Sequence, residues 1–263
     1  MTAESNKASL DVLLFDVDGT LADTERDGHR LAFNRAFAEA GLDWDWSEEL
    51  YGQLLQVTGG KERMHYYLER FNRCFEPPPD LAGFIAGLHQ AKTRHYAQML
   101  AEGAIPLRPG VKRLIAEARS AGLRLAIATT TTPLNVSALL DSTLGPESND
   151  WFEVIAAGDL VAAKKPAPDI YLWAMQRMGV SAEQCLALED SDNGLRAARD
   201  AQIKALLVTV NDYTRQQDFS GASLVLDQLG EPGQPAQVLA GPALAKGYVD
   251  LATLRQLHRQ AQG

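Results

Sequence analysis

Short apolar runs alternate with stretches of helical periodicity along most of the chain, beginning with Val12-Leu13-Leu14-Phe15. An unbroken apolar run of this length reads as a strand buried on both faces. Pro109 then predicts a helix start, with Val111, Leu114, Ile115 and Ala118 on one face and Gly122 as the stop. A buried strand follows over residues 123–128. After Lys165, Ile170, Trp173, Ala174 and Met178 share a helix face that Gly179 ends. Residues 186–188 predict the next strand, Leu195 and Ala198 a helix, residues 205–210 a strand, and residues 224–226 a last apolar run. This β-α-β series predicts an α/β fold with a Rossmann-like parallel sheet, right-handed crossovers and helices on both faces. Residues 230–242, rich in Gly and Pro, read as a loop, and residues 248–262 as a final amphipathic helix.

Between Thr20 and about Pro106 the pattern changes. Strand signals vanish, and helical faces such as Phe33, Ala36, Phe37 and Ala40, ending at Gly41, replace them. The domain expectation is therefore a core made of residues 1–21 and 105–263, interrupted by a helical cap of residues 22–104. Pro77-Pro78-Pro79 breaks that insert. A cap placed there stands over the carboxyl ends of the strands, where α/β sheets hold ligands.

The formal net charge of −9 argues against a nucleic-acid partner, which needs a basic surface. No apolar run approaches the roughly 20 residues that span a bilayer, so no membrane partner is expected either. Two cysteines, Cys74 and Cys185, lie far apart and read as free buried thiols. With a polar, acid-bearing start over residues 1–9, they point to a cytoplasmic protein. A monomer is expected.

Candidate chemistry clusters where strands should end. Asp16-Val17-Asp18-Gly19-Thr20 follows the first run and offers two carboxylates at i and i+2, with Gly19 letting the backbone leave the sheet. Thr129, Thr130, Thr131 and Thr132 follow residues 123–128, and hydroxyls with successive N–H groups suit phosphate oxygens. Lys164-Lys165-Pro166 precedes a helix, with Lys165 the candidate cation, Lys164 exposed and Asp169 a helix cap. Glu189-Asp190 follows residues 186–188, with Ser191 or Asp192 left to cap the next helix. Acids from two strand ends can converge on a hard divalent cation, and oxygen donors suit Mg²⁺.

In this order the motifs resemble the haloacid dehalogenase superfamily of phosphotransferases, the subgroup with a helical cap inserted after the first motif. The resemblance implies that Asp16 is the nucleophile and Asp18 the acid/base, with its pKa raised from about 3.9 by its surroundings. It implies that Thr129 and Lys165 hold the transferring phosphoryl group. It also assigns Mg²⁺ to Asp16, the backbone carbonyl of Asp18, Asp190 and Glu189, the last either directly or through water. A cation is required, because a carboxylate and a phosphate charge at 4 Å repel by about 4 kcal/mol at an effective dielectric of 20.

The run from Asp16 through Asp23-Thr24-Glu25-Arg26-Asp27-Gly28-His29 is similar to the CbbY-type phosphatases, as are Gly59-Gly60-Lys61-Glu62-Arg63-Met64 and Thr129 to Pro133. These dephosphorylate xylulose-1,5-bisphosphate, an inhibitory by-product of carbon-fixation enzymes. The resemblance implies a small sugar-phosphate substrate touched by Thr24, Glu25, Thr130 and Thr131, with Lys61, Arg63 and His29 on the second phosphate. Sugar phosphomutases share the core motifs but commonly carry a Lys-Asn pair where this chain has Thr132-Pro133. Phosphoglycolate and broad sugar-phosphate phosphatases are not separated by the core motifs, and a non-catalytic sensor would not need the intact acids. His65, His89, His95 and His258 read as surface residues.

Overall fold

The computed structural model describes residues 9–57 and 59–263. The N-terminal residues on which the location expectation partly rests fall outside them. In chain order the elements are β1 (Val12–Phe15), α1 (Arg30–Glu39), α2 (Glu48–Leu54), α3 (Gly60–Arg70), α4 (Leu81–Ala101), α5 (Val111–Ser120), β2 (Arg124–Ala128) and α6 (Pro133–Leu144). They continue with β3 (Val154–Ala156), α7 (Asp169–Met178), β4 (Cys185–Glu189), α8 (Asp192–Asp200), β5 (Ala205–Thr209), β6 (Leu224–Leu226), β7 (Val238–Ala240) and α9 (Leu251–Ala261). The chain divides into two compact units, one of Met1–Asp23 with Pro106–Gly263 and one of Thr24–Ile105.

The first unit is an α/β layer structure around a seven-stranded sheet in the order β3-β2-β1-β4-β5-β6-β7. Every neighbouring pair from β3 to β6 is parallel, and β7 alone runs antiparallel. β1, β4 and β5 are buried along their whole length. Helices cover both faces of such a sheet, so no strand position needs to be polar until the strand ends. Strand order reverses between β1 and β4, and a crevice opens at the carboxyl ends of strands at such a reversal.

Several helix ends follow the sequence signals. Gly179 adopts φ +66° after α7, Ser191 caps α8 by accepting from the Gly194 N–H, and Asp250 caps α9 from the Thr253 N–H at 2.8 Å. Other expectations are corrected. Asp169 is the first residue of α7 and makes no capping bond; its charge instead sits favourably in the first turn. Residues 230–242 are not all loop, because Val238–Ala240 pairs with β6 as an edge strand. Six Gly and Pro residues between 230 and 242 hid a strand of three residues. β3, an edge strand in which only Ala156 is buried, and α6, which Thr132 caps and Pro133 opens, also lie outside the expected elements. Cys74 is exposed, and Cys185 alone is a buried thiol; both are free. His258 is buried against the Glu183 carbonyl, at 2.7 Å, rather than on the surface.

The second unit is helical. α1 packs along α4, and an aromatic cluster of Phe33, Phe37, Trp44, Trp46, Tyr51 and Tyr67 fills its interior. Trp46 and Tyr51 are completely buried, so aromatic surface substitutes here for the sheet that this unit lacks. Among the described residues, no helix is long and apolar enough to cross a membrane.

Asp250 offers a test of the last helix. Burial pushes its carboxyl up, but Lys246 and the Thr253 N–H and hydroxyl outweigh this and hold it at about 2. A depressed folded pKa adds stability above the unfolded value of about 3.9 and loses it as pH falls. Asp250→Ala should cost about 1 kcal/mol in urea unfolding at pH 7. The difference from wild type should narrow as pH is lowered from about 4 towards about 2.

Candidate active site

β1 delivers Asp16 to the carboxyl edge of the sheet. Its N–H still donates to the Leu188 carbonyl at 3.0 Å, which continues the β1–β4 ladder one residue past the strand. The chain then turns: the N–H groups of Thr20 and Leu21 donate to the Val17 carbonyl, and Gly19, at φ +87°, donates to Ala22. Asp18 therefore lies in a turn, not in the strand, and it is the turn rather than strand alternation that places it. Gly19 has no alternative residue. A Cβ there would lie 2.2 Å from Asp190 Oδ2 and 2.6 Å from Asn211 Nδ2, in a left-handed conformation.

β4 ends in Glu189, followed by Asp190, on the neighbouring strand. One oxygen from each of Asp16, Glu189 and Asp190 lies within 4.8 Å of the others, and all three residues are buried. Lys165 enters from the segment before α7 and places Nζ 2.7 Å from Asp16 Oδ1 and 2.6 Å from Glu189 Oε1. Tyr171, on the buried face of α7, donates its hydroxyl to the same Glu189 oxygen at 2.5 Å, and Asn211, just after β5, donates to Asp190 Oδ2 at 2.7 Å. Gly194 leaves room for Glu189, since a Cβ there would sit 1.9 Å from Oε2.

Thr129 is buried at the end of β2. Its N–H donates to the Ala156 carbonyl, and its hydroxyl oxygen accepts from the Thr131 N–H at 3.3 Å, which leaves the hydroxyl proton to donate elsewhere. Thr130 and Thr131 follow, both half-buried, and Thr132 caps α6. Lys164 is only half-exposed, paired with Asp159 at 2.8 Å.

The electrostatics of this cluster are one-sided. Burial pushes the Asp16 carboxyl up to about 7, with Glu189 and Asp18 adding to the rise against the opposing pull of Lys165. Asp190 is held well above the ordinary carboxylate range, first by burial and then by Asp16 and Glu189. Lys165 is strengthened as a cation, because attraction to both acids exceeds the cost of its burial. With all three acids ionised, negative charge would exceed the one ammonium, and the raised pKa values of Asp16 and Asp190 mark the cost of that state without a further cation. A set of hard oxygen donors with surplus charge fits a divalent cation of the Mg²⁺ class.

The residues expected on the substrate's second phosphate lie in the helical unit. Thr24 and His29 are buried; His29 Nδ1 is 2.8 Å from Lys92 Nζ and its ring packs on Tyr96. Arg63 is buried, donating to the Tyr51 hydroxyl at 2.7 Å, and that hydroxyl donates to Glu25 Oε2 at 2.5 Å. Lys61 is exposed in the first turn of α3. Burial, Lys92, Lys61 and His29 push His89 down to about 4, so this part of the unit gathers positive charge.

The family model for haloacid dehalogenase-like hydrolases matches residues 10–202, a span from before Asp16 to beyond Asp190. The chain belongs to this family. As a haloacid dehalogenase-like hydrolase, it is 50% identical over 254 residues to the plasmid-encoded protein CbbY of Cupriavidus necator, covering 95% of this chain and 97% of that one. It is 41% identical to a CBBY-like protein of Arabidopsis thaliana, covering 90% of this chain and 75% of the relative. Its structure is similar to a CbbY variant from Rhodobacter sphaeroides in complex with xylulose-1,5-bisphosphate, at TM-score 0.77 and 49% identity, covering 85% of this chain and 96% of that one.

Sequence reasoning passed over Tyr171 and Asn211. Tyr171 sits beside Ile170 on an apolar helix face and reads as core, whereas Asn211, a polar residue one place beyond a predicted strand, carried a signal that could have been followed. Gly194→Ala tests the packing that holds Glu189. Ala favours the helix, so α8 should persist by circular dichroism while hydrolytic turnover falls by about tenfold or more, since small misplacements of catalytic groups cost that much.

Proposed function

We propose that this hydrolase is an Mg²⁺-dependent sugar-phosphate phosphatase that works through an aspartyl-phosphate on Asp16, with xylulose-1,5-bisphosphate as its preferred substrate and xylulose-5-phosphate as product. The observation that carries the reading is the seat of Asp16: a buried carboxylate at the sheet's switch point, 2.7 Å from Lys165 and beside Glu189 and Asp190. The likeness to a CbbY structure in complex with the bisphosphate supports the choice of substrate.

In the first half-reaction an Asp16 oxygen attacks phosphorus, the bond from phosphorus to the sugar oxygen breaks, and Asp18 gives its proton to the departing alkoxide. In the second half, Asp18 takes a proton from a water that attacks the same phosphorus, releasing Asp16 and inorganic phosphate. Lys165 holds Asp16 in line for attack and meets the charge on the phosphoryl oxygens; the Thr129 hydroxyl and the N–H groups near Thr130 and Thr131 bind the remaining oxygens. Asp16, Asp190, the Asp18 carbonyl and Glu189 would hold Mg²⁺, which when bound offsets the carboxylate charge and draws electron density from a phosphate oxygen. Lys61, Arg63 and His29 are assigned to the second phosphate, with Thr24 and Glu25 beside them.

The competing reading is a sugar phosphomutase, which returns the phosphoryl group to sugar. Thr132-Pro133 is used here as the N-cap and first residue of α6, with the Thr132 side chain accepting from the Asn135 N–H. Neither residue offers the ammonium or amide of the mutase Lys-Asn pair, which favours transfer to water.

Phosphate release should be measured with Mg²⁺ and with chelator across xylulose-1,5-bisphosphate, ribulose-1,5-bisphosphate, phosphoglycolate, glucose-6-phosphate and β-glucose-1-phosphate. A marked preference for the first, lost with chelator, is expected; broad weak hydrolysis would discard the substrate, and isomerisation of β-glucose-1-phosphate would favour the mutase. Asp16→Asn should abolish turnover, and retained activity would remove the aspartyl-phosphate. Lys61→Ala should raise KM for the bisphosphate far more than for a monophosphate, whereas equal effects would take Lys61 off the second phosphate.

A further inference from the structure

Arg108 follows the point where the chain re-enters the α/β unit, and its guanidinium is buried at the carboxyl edge of the sheet. Nη1 donates to the Gly19 carbonyl, to the Thr209 carbonyl at 3.0 Å and to the Thr209 hydroxyl at 3.3 Å. Nη2 donates to the carbonyls of Val210 at 2.6 Å and Asp227 at 2.7 Å, and Nε lies 3.4 Å from Asp23 Oδ1. The Arg108 N–H donates to the Leu21 carbonyl at 2.8 Å, and Leu107 forms an antiparallel bridge with Ala22. One side chain therefore gathers carbonyls from three segments: the turn after β1, the end of β5 and the end of β6.

Two of those segments lead directly into the reaction centre. Gly19 is covalently next to Asp18 and packs against Asp190 and Asn211 so closely that a Cβ would collide with both. Val210 is covalently next to Asn211, whose amide holds Asp190 Oδ2. A shift of the Gly19 turn relative to Val210 would therefore move Asp18 and Asp190 against each other. Taking a guanidinium out of water is costly, and here carbonyls from three segments together with the Asp23 carboxylate at 3.4 Å offset that cost, so the guanidinium stays buried only while these groups keep their places. A planar fork with five donors in fixed directions can set the spacing of several carbonyls at once; an ammonium with three donors cannot.

We infer that Arg108 is a positioning residue for phosphoryl transfer, fixing the Asp18-Gly19 turn against the Val210-Asn211 segment so that the acid/base and Asp190 keep their relative places. The inference rests on the phosphatase reading given above; Arg108 acts through the backbone of the segments it holds.

The test compares wild type with Arg108→Ala and Arg108→Lys, following xylulose-1,5-bisphosphate and, in parallel, p-nitrophenyl phosphate as a generic ester. Folded fraction is read by circular dichroism and thermal melting, and turnover is expressed per folded molecule. In Arg108→Ala, kcat should fall on the order of 100-fold with KM within about twofold, the mark of lost alignment rather than lost binding. Guanidinium ion at low millimolar concentration should restore part of kcat, and Arg108→Lys should lie between. Unchanged kcat per folded molecule would overturn the inference and leave Arg108 a stability residue, as would failure of both variants to fold at the assay temperature. An equal rise in KM with no guanidinium rescue would also overturn it. If wild type cleaves only the generic ester, the substrate assignment fails while the Arg108 comparison is still read; inactivity on both with Arg108-independent melting would overturn both.

Discussion

The placement of three carboxylates around a single buried ammonium is the constraint on which this molecule's site depends. Asp16, Glu189 and Asp190 would repel one another out of the sheet edge without Lys165, and Lys165 would not stay buried without them. Each remaining partner serves that balance. Tyr171 and Lys165 share one Glu189 oxygen, and Asn211 occupies one Asp190 oxygen. The acids are thereby turned in fixed directions before any ligand arrives, which is what preorganised electrostatic catalysis requires. The surplus negative charge that remains makes the cluster receptive to a divalent cation and unreceptive to an unaccompanied phosphate.

The sheet makes such crowding possible. Parallel strands buried on both faces end together, so residues far apart in sequence arrive at one edge with their backbone already hydrogen-bonded. Asp16 is the clearest case, because its N–H is still part of the β1–β4 ladder and its side chain alone is left to function. The two glycines that face the acids, Gly19 and Gly194, are the complementary device. They give up side chains so that Asp190 and Glu189 can approach the backbone within ordinary contact distance.

Much of this was legible in the sequence, and the boundary is physical. The elements with long buried runs, β1, β2, β4 and β5, announced themselves, as did the acids at the ends of β1 and β4, because a charged residue directly after an apolar strand has few structural uses; Lys165 is marked instead by the proline that follows it and its place before α7. β3 and β7 did not: both are edge strands and only partly buried, unlike β6, which is equally short but buried throughout and therefore reads as an apolar run. The family membership follows the same strand-end motifs, since the matching span runs from Leu10 past Asp190. Tyr171 and Arg108 were illegible for a different reason. They act on backbone carbonyls or on other side chains, and no spacing in a single sequence marks such a pairing.

The helical unit shows how the same reasoning separates residues of one charge. Arg63 and Lys61 are two positions apart and both are candidate cations for the second phosphate, yet the structure gives them different surroundings. Arg63 is buried with its fork committed in part to the Tyr51 hydroxyl, which in turn is tied to Glu25; Lys61 is exposed. Arg63 Nη1 also lies 3.7 Å from Glu25 Oε2 and its Nη2 donates to the Val57 carbonyl at 3.4 Å, so partners on several sides fix the direction of the guanidinium. An exposed ammonium contributes reach and charge but no direction, and solvent screens it. The Glu25-Tyr51-Arg63 chain therefore fixes a buried guanidinium in direction, whereas Lys61 adds a charge that solvent screens.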